Sequence, residues 1–186
     1  MILLGILLAT ALWFYLSYTT VIKRKNKVEE AFSSIDVQLK KRYDLIPNIL
    51  NMTKKFMEHE RSLFEDITNL RTKALSLGND IKDISEKLAI DSEIKAKMGQ
   101  ILVSVENYPE LKSDSTMVTA MQTYNEVEEH IAAARRFYNS AVNELNNAVE
   151  IFPTSMYAKK LGITKQEFYK TDEPIHKSIN VNDYLN

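Results

Sequence analysis

Apolar residues form one unbroken stretch near the start of the chain, where Ile2 to Ile22 contains no charged side chain. As a helix rising ~1.5 Å per residue, this stretch would extend about 31 Å, the thickness of the hydrocarbon core of a bilayer. We therefore predict a transmembrane anchor over residues 1–22. Basic residues follow at once and are predicted to lie at the membrane interface: Lys23, Arg24, Lys25 and Lys27.

A cleavable signal peptide is the alternative interpretation of this stretch. Signal peptides combine a basic start, an apolar core of roughly 7–15 residues and a cleavage site of small residues. Here only Met1 precedes the apolar residues, and the stretch ends in Ser17-Tyr18-Thr19-Thr20. These features favour an uncleaved, single-pass anchor. Since flanking Lys and Arg stay on the cytoplasmic side, we expect the N-terminus outside the inner membrane and the body in the cytoplasm.

Beyond the anchor, apolar residues recur at steps of three and four, which is the spacing of amphipathic helices. Four such stripes are present: Val28 to Phe56, Leu63 to Leu77, Ile84 to Val105 and Met117 to Phe152. Each predicted helix has one apolar face and needs the others to bury it. We predict an all-α fold with an antiparallel four-helix bundle of long, coiled-coil-like helices over residues 23–162. An extended or disordered tail is predicted over residues 163–186.

Helix-capping sequences precede three of the stripes: Ser62-x-x-Glu65, Asp83-x-x-Glu86 and Ser113-Asp114-Ser115. Pro47 falls inside the first stripe, where we predict a kink and not an end, because the stripe resumes in phase at Ile49. Neither Gly nor Pro occurs between Gly5 and Ile46. The anchor and the first bundle helix are therefore predicted to form one continuous rod.

Charge and composition exclude several functional classes. The 24 basic and 25 acidic residues nearly balance, whereas a dedicated nucleic-acid binder needs a basic face. The chain has no cysteine, which excludes thiol nucleophiles. Glu58-His59-Glu60 resembles a metal or acid–base cluster, but a His-Glu-x-x-His site would need histidine where Leu63 stands. We predict no enzymatic activity, cofactor or metal; a metal-dependent enzyme or sensor at Glu58-His59-Glu60 is the alternative.

Two polar clusters interrupt the apolar pattern. Lys40-Lys41-Arg42-Tyr43-Asp44 precedes the proline, and we interpret it as a solvated helix face, with a docking surface for an acidic partner as the alternative. The fourth stripe carries Arg135 and Asn139 on one face, together with further asparagines. Either water or a neighbouring helix would satisfy these groups, and in the second case they would form a buried polar layer that fixes helix register.

The segment AFSSIDVQLKKRYDLIPN, from Ala31 to Asn48, resembles the hallmark segment of the bacterial LemA family. His59-Glu60, Asn107 to Lys112 and Ala134 to Asn139 are similar to further blocks of that family, in the same order. The resemblance implies one N-terminal spanning helix followed by an antiparallel helical bundle, and it carries no catalytic residues. The candidates for partner or inter-helix contacts are Asp36, Lys41, Arg42, Tyr43, Asp44, His59, Glu60, Arg135 and Asn139.

The functional prediction is a membrane-anchored, non-enzymatic helical scaffold or adaptor that self-associates and organises membrane lipid or partner proteins. Identical anchors aligned along the membrane normal favour cyclic homo-oligomers. The alternative is an accessory subunit that regulates a membrane protease or transporter, which requires a membrane-protein partner of unknown identity. Nucleic acid is not expected among the partners.

Overall fold

A computed structural model describes residues 1–57, 59–78 and 84–169 of the chain. All regular secondary structure in these residues is helical, as the sequence predicts. The helices are α1 (Ile2–Thr53), α2 (Arg61–Ser76), α3 (Ile84–Val105), α4 (Pro109–Lys112), α5 (Ser115–Glu150) and α6 (Thr154–Lys160).

α1 is one helix of 52 residues that joins the predicted anchor to the body without a break. Pro47 lies inside the helix, which continues to Thr53, so the proline does not end it. The two halves of α1 differ in environment. Apolar side chains near its start are exposed, whereas most of those from Val28 onwards are buried and recur at helical spacing.

The body is an antiparallel bundle of α1, α2, α3 and α5. α5 runs antiparallel to α1, since Glu144 of α5 contacts Lys27 while the earlier residue Glu128 contacts Arg42. α2 and α3 pack against each other, and α3 lies over the α1–α5 pair, with polar contacts to both helices. The shared core includes Ile35, Ile46, Ile67, Ile94, Met98, Ile131 and Val142. The predicted four-helix bundle is thus confirmed.

The capping predictions have different outcomes. Asp114 precedes α5 as expected, and its carboxylate accepts hydrogen bonds from the N–H groups of Thr116 and Met117, both at 2.9 Å. The capping box predicted at Ser62 is wrong. α2 begins at Arg61, so Ser62 is already helical and cannot cap, and Glu60 before the helix makes no side-chain cap. The box predicted at Asp83 lies outside the described residues.

The chain reverses direction after α6 through a glycine-dependent turn. The N–H of Gly162 donates to the carbonyl of Lys159 at 3.3 Å, and that of Ile163 donates to the carbonyl of Ala158 at 2.9 Å. These two bonds form a Schellman motif, which needs a left-handed residue after the helix, and Gly162 has φ +66°. Residues 163–169, the described part of the predicted tail, then run extended along α5.

Candidate functional site

A buried ion cluster joins three helices at the centre of the bundle. Nη1 of Arg42 on α1 lies 2.6 Å from both carboxylate oxygens of Asp91 on α3. Nη2 of Arg135 on α5 contacts the same carboxylate at 3.0 Å. The side chains of Arg42 and Asp91 are both 0% exposed. One buried carboxylate thus forms ion pairs with two guanidinium groups, so loss of Asp91 would remove a partner from both arginines.

Glu128 extends this cluster towards solvent. Its carboxylate forms ion pairs with Nη2 of Arg42 and with Nζ of Lys95 on α3, the latter at 2.7 Å. The guanidinium carbon of Arg42 also lies 5.6 Å from the centroid of the Tyr124 ring, within the range of a cation–π contact. We call Arg42, Asp91, Glu128 and Arg135 the buried ion cluster.

Two tyrosines beside the cluster are held in their neutral form. Burial raises the pKa of the Tyr124 hydroxyl to about 12, and the negative charge of Asp91 adds to this increase while Arg42 opposes it. The pKa of Tyr43 is also raised, chiefly by burial. Nε of Arg71 on α2 donates to the backbone carbonyl of Tyr43 at 2.6 Å, so α2, the one bundle helix outside the cluster, is also linked to this region.

A second inter-helix pair lies one helical turn from the cluster. Nζ of Lys87 on α3 contacts Oδ1 of Asp36 on α1 at 2.5 Å and also donates to the carbonyl of Gly78 at 3.2 Å. Lys87 and Asp91 are four residues apart and therefore share a face of α3. Together they fix the axial position of α3 against α1.

Two asparagines of α5 hold the extended segment after Gly162. Nδ2 and Oδ1 of Asn146 bond the backbone C=O and N–H of Gln166 at 3.0 and 2.9 Å. Asn139 bonds the C=O and N–H of Tyr169 in the same way, at 3.0 and 2.8 Å. Seven residues of a helix and three residues of an extended chain both span roughly 10 Å. The distance from Asn139 to Asn146 along α5 therefore matches the distance from Tyr169 to Gln166 along the extended segment. We call Asn139 and Asn146 the asparagine clamp.

The end of the bundle opposite α4 contacts the predicted anchor. Arg24 and Lys27 both pair with Glu144 of α5, Lys27 at 3.0 Å. Lys25 pairs with Glu29 at 3.1 Å within α1, and Lys23 is exposed. Part of the basic group predicted to lie at the membrane interface is therefore tied to the body.

The residues predicted from the Lys40–Asp44 cluster divide between core and surface. The predicted solvated face is correct for Lys41 and Asp44, which are both exposed. Oδ1 of Asp44 lies 4.0 Å from Nη2 of Arg71. The prediction is wrong for Arg42 and Tyr43, which are buried. The helix turns by about 100° per residue, so five consecutive residues are distributed around the whole helix and include both core-facing and solvent-facing positions.

The other predicted site residues lie in separate places. His59 is exposed and Glu60 directly precedes α2, while Glu58 lies outside the described residues. Arg135 joins the buried ion cluster and Asn139 belongs to the asparagine clamp. Among the described residues, no three His, Asp or Glu side chains converge as a metal site requires.

Sequence reasoning missed Asp91, Lys87 and Glu128. A signal for Asp91 was present, because the third apolar stripe steps by six residues from Leu88 to Ile94, and Asp91 occupies the position in between. A charged residue in the line of an apolar stripe indicates a buried partner of opposite charge. The closed arrangement around Asp91 offers no substrate access, and its chemistry is that of a helix-register lock.

Curated proteins from several bacteria are similar to this chain. Magnetosome protein MamQ 2 of Paramagnetospirillum magneticum is 22% identical over 175 residues, covering 82% of this chain and 64% of that protein. Magnetosome protein MamQ of Magnetospirillum gryphiswaldense is 20% identical with the same coverage. Protein LemA of Metamycoplasma hominis is 22% identical over 177 residues, covering 93% of this chain and 80% of that protein.

The family comparison agrees with the resemblance carried by the Ala31–Asn48 segment. The model of the LemA family matches residues 31–182, which include the buried ion cluster, the asparagine clamp and the extended segment. The match covers far more than half of the chain. The chain therefore belongs to the LemA family.

Proposed function

We propose that this protein is a membrane-anchored, non-enzymatic helical scaffold that self-associates at the membrane. The observation that carries the proposal is the continuity of α1. Among the described residues, α1 alone is long and apolar enough to cross a membrane, and its most apolar part is almost entirely exposed. The same helix then supplies Val28, Ile35 and Ile46 to the bundle core. An anchor without a hinge fixes the orientation of the body above the bilayer.

The polar architecture supports a structural role over catalysis. The most unusual side chains of the body, Arg42 and Asp91, are fully buried and paired, so they bind helices to each other and not a substrate. The names Magnetosome protein MamQ and Protein LemA, carried by the relatives, specify no reaction. The chain spans about 64% of the length of the MamQ relatives.

Self-association requires a surface on the body, and we propose the open groove between α1 and α5 for this role. This groove encloses about 670 Å³. We call it the distal groove, and it is lined by Leu45, Asn48, Asn51, Met52, Ser115, Thr116, Thr119 and Ala120. Its floor mixes small, apolar and amide side chains, a composition suited to a helix of a second copy.

The anchoring half of the proposal can be tested with the single tryptophan of the chain, Trp13. The full chain is reconstituted in vesicles whose lipids carry bromine at defined acyl positions, and Trp13 fluorescence is recorded. Strong quenching by acyl-chain bromine is expected. Fluorescence unaffected by brominated lipid contradicts anchoring through α1.

The assembly half can be tested by native mass spectrometry of the full chain in mild detergent. We expect oligomers for the unmodified protein and for the control Val103→Glu, whose position on α3 is exposed outside the groove. Ala120→Glu places a charge in the distal groove and is expected to yield monomers. Monomers of the unmodified protein at micromolar concentration refute self-association.

A further inference from the structure

The turn between α5 and α6 lies beside the predicted anchor and not above it. The ring centroid of Phe152 is 6.0 Å from that of Trp13 on α1. The ring of Tyr157 on α6 packs edge-on against Phe14 at 6.4 Å and against Tyr18 at 6.1 Å. These rings bind the α5–α6 hairpin to the same stretch of α1 that is predicted to lie in the bilayer.

The hairpin reaches well below the basic residues of α1. Trp13 precedes Lys23 by ten residues, which places it about 15 Å further along the helix axis. Phe152 lies at the level of Trp13. From there α6 returns, because Leu161 lines a common pocket with Ile22 and Lys25. The hairpin thus descends by roughly half the thickness of a hydrocarbon core and returns.

The surface of this turn is apolar where it is deepest and basic where it returns. Ile151 is 60% exposed, Phe152 65% and Met156 58%. We call these three residues the apolar tip. Lys159 and Lys160 in the last turn of α6 are exposed at the end nearest the basic residues of α1. Their long side chains can reach head groups from below the interface.

The acidic residue next to the apolar tip, Glu150, forms an ion pair with a lysine. Glu150 ends α5 directly before the apolar tip, and its carboxylate pairs with Nζ of Lys165 in the extended segment. An unpaired carboxylate at this depth would oppose burial in lipid, whereas a paired one opposes it far less. The apolar tip is continuous with the exposed apolar surface of α1, and basic residues border it on α6. Both features indicate that lipid covers the tip.

We propose that the apolar tip inserts into the acyl region of the leaflet that surrounds Trp13 to Ile22. This inference rests on the anchoring proposed above for α1. The protein then displaces lipid in one leaflet with three helical segments, α1, the end of α5 and α6, and in the other leaflet with α1 alone. The body is held to the bilayer by a wedge in addition to its anchor.

Spin-label accessibility in vesicles tests the insertion, because the chain has no cysteine and each introduced cysteine is unique. Ile151→Cys reports on the tip and none of the ring contacts involves it; Met156→Cys is a second reporter. Leu12→Cys is the reference for α1, and Val118→Cys, exposed at the far end of α5, is the reference for the body. Vesicles of phosphatidylcholine and phosphatidylglycerol carry the full chain.

Oxygen concentrates in the acyl region and a nickel chelate stays in water, so their ratio of relaxation effects reports depth. We expect the ratio for both tip reporters to rise from the Val118→Cys value to that of Leu12→Cys. Nickel access at the tip with Leu12→Cys in lipid overturns the insertion and leaves the anchor standing. Protection from both reagents means that protein, such as a second copy, covers the tip, and it also overturns the insertion. Nickel access at Leu12→Cys refutes the anchor itself.

Discussion

Nη1 of Arg42 contacts both carboxylate oxygens of Asp91 at 2.6 Å, and neither side chain is exposed. The contact joins the segment that most resembles the LemA family to α3, which covers it. Arg135 of α5 approaches the same carboxylate at 3.0 Å, so three helices meet at one group. A shift of α3 by one residue would break the contacts of Asp91 with both arginines, so Asp91 specifies the register of α3 against α1 and α5.

Removing either member of this pair should strongly destabilise the body. Asp91→Asn leaves Arg42 with Glu128 as its one ion-pair partner, and Arg42→Met leaves Asp91 with Arg135. Breaking a buried ion pair typically costs about 3–5 kcal/mol, and the remaining partner places each single loss towards the lower end of that range. The double variant should lose less than the sum of the single losses, because the charges are removed together. Denaturant unfolding of the full chain in detergent, followed by circular dichroism, gives the coupling free energy.

The control for this cycle is the neighbouring substitution Lys41→Met. Lys41 is exposed, and substitutions at such positions change the free energy of unfolding by about 0.5 kcal/mol or less. Single and double losses that simply add would show that Arg42 and Asp91 do not interact in the folded protein.

The tyrosines beside the cluster should make the body sensitive to alkali. Unfolded Tyr124 ionises around its ordinary pKa of 10.0, whereas burial raises the folded value to about 12. Stabilisation from this tyrosine is therefore complete below pH 10 and is lost as the pH rises towards 12. The loss approaches about 1.4 kcal/mol per pH unit for each such group.

Tyr124→Phe tests this pH dependence by removing the ionisable hydroxyl and keeping the ring beside Arg42. The free energy of unfolding, measured in denaturant between pH 9 and 12, should fall less steeply for the variant than for the unmodified protein. Tyr43→Phe should reduce the slope further, because the pKa of Tyr43 is raised by the same burial. An unchanged slope in both variants would contradict the assignment.

The predictability of each feature from sequence follows the range of the interactions involved. Helical spacing is local, so it predicted the four bundle helices α1, α2, α3 and α5, and the Asp114 cap needs only the three residues that follow it. The burial of Arg42 depends on Asp91, which is 49 residues away, and the sequence around Arg42 resembles a solvated face. Only the gap in the third stripe indicated the partner.

The asparagine clamp was out of reach for a different reason. Asn139 and Asn146 look like solvated helix residues until a strand-like segment lies against them, and that segment is delivered by the turn at Gly162. Spacing on a helix cannot indicate the path of a chain that returns after α6. Two other asparagines of the same helix, Asn143 and Asn147, are exposed, so residue type alone does not distinguish the clamp.

Gly162→Ala tests how far the extended segment depends on this turn. The left-handed φ of +66° at Gly162 costs an alanine about 1–2 kcal/mol, while no atom lies close enough to obstruct the added Cβ. Amide hydrogen exchange of residues 163–169 should become faster by roughly tenfold or more, and that of the core of α5 should not change. Gly99→Ala, also unobstructed but inside α3, is the matched control. Equal exchange in all three proteins would show that another contact sets the path.

The asparagine clamp itself can be tested with four substitutions on one helix. Asn139→Ala and Asn146→Ala each remove two hydrogen bonds to the backbone of the extended segment, at about 1 kcal/mol per bond. Replacing both removes four bonds, about 4 kcal/mol in total, so hydrogen exchange and limited proteolysis within residues 163–169 should accelerate by up to about three orders of magnitude. Asn143→Ala and Asn147→Ala alter neighbouring exposed asparagines and should leave the segment protected. The asparagine clamp predicts faster exchange only when Asn139 or Asn146, seven residues apart, is replaced. Equal acceleration in the control variants would show that the paired amide hydrogen bonds do not hold the segment.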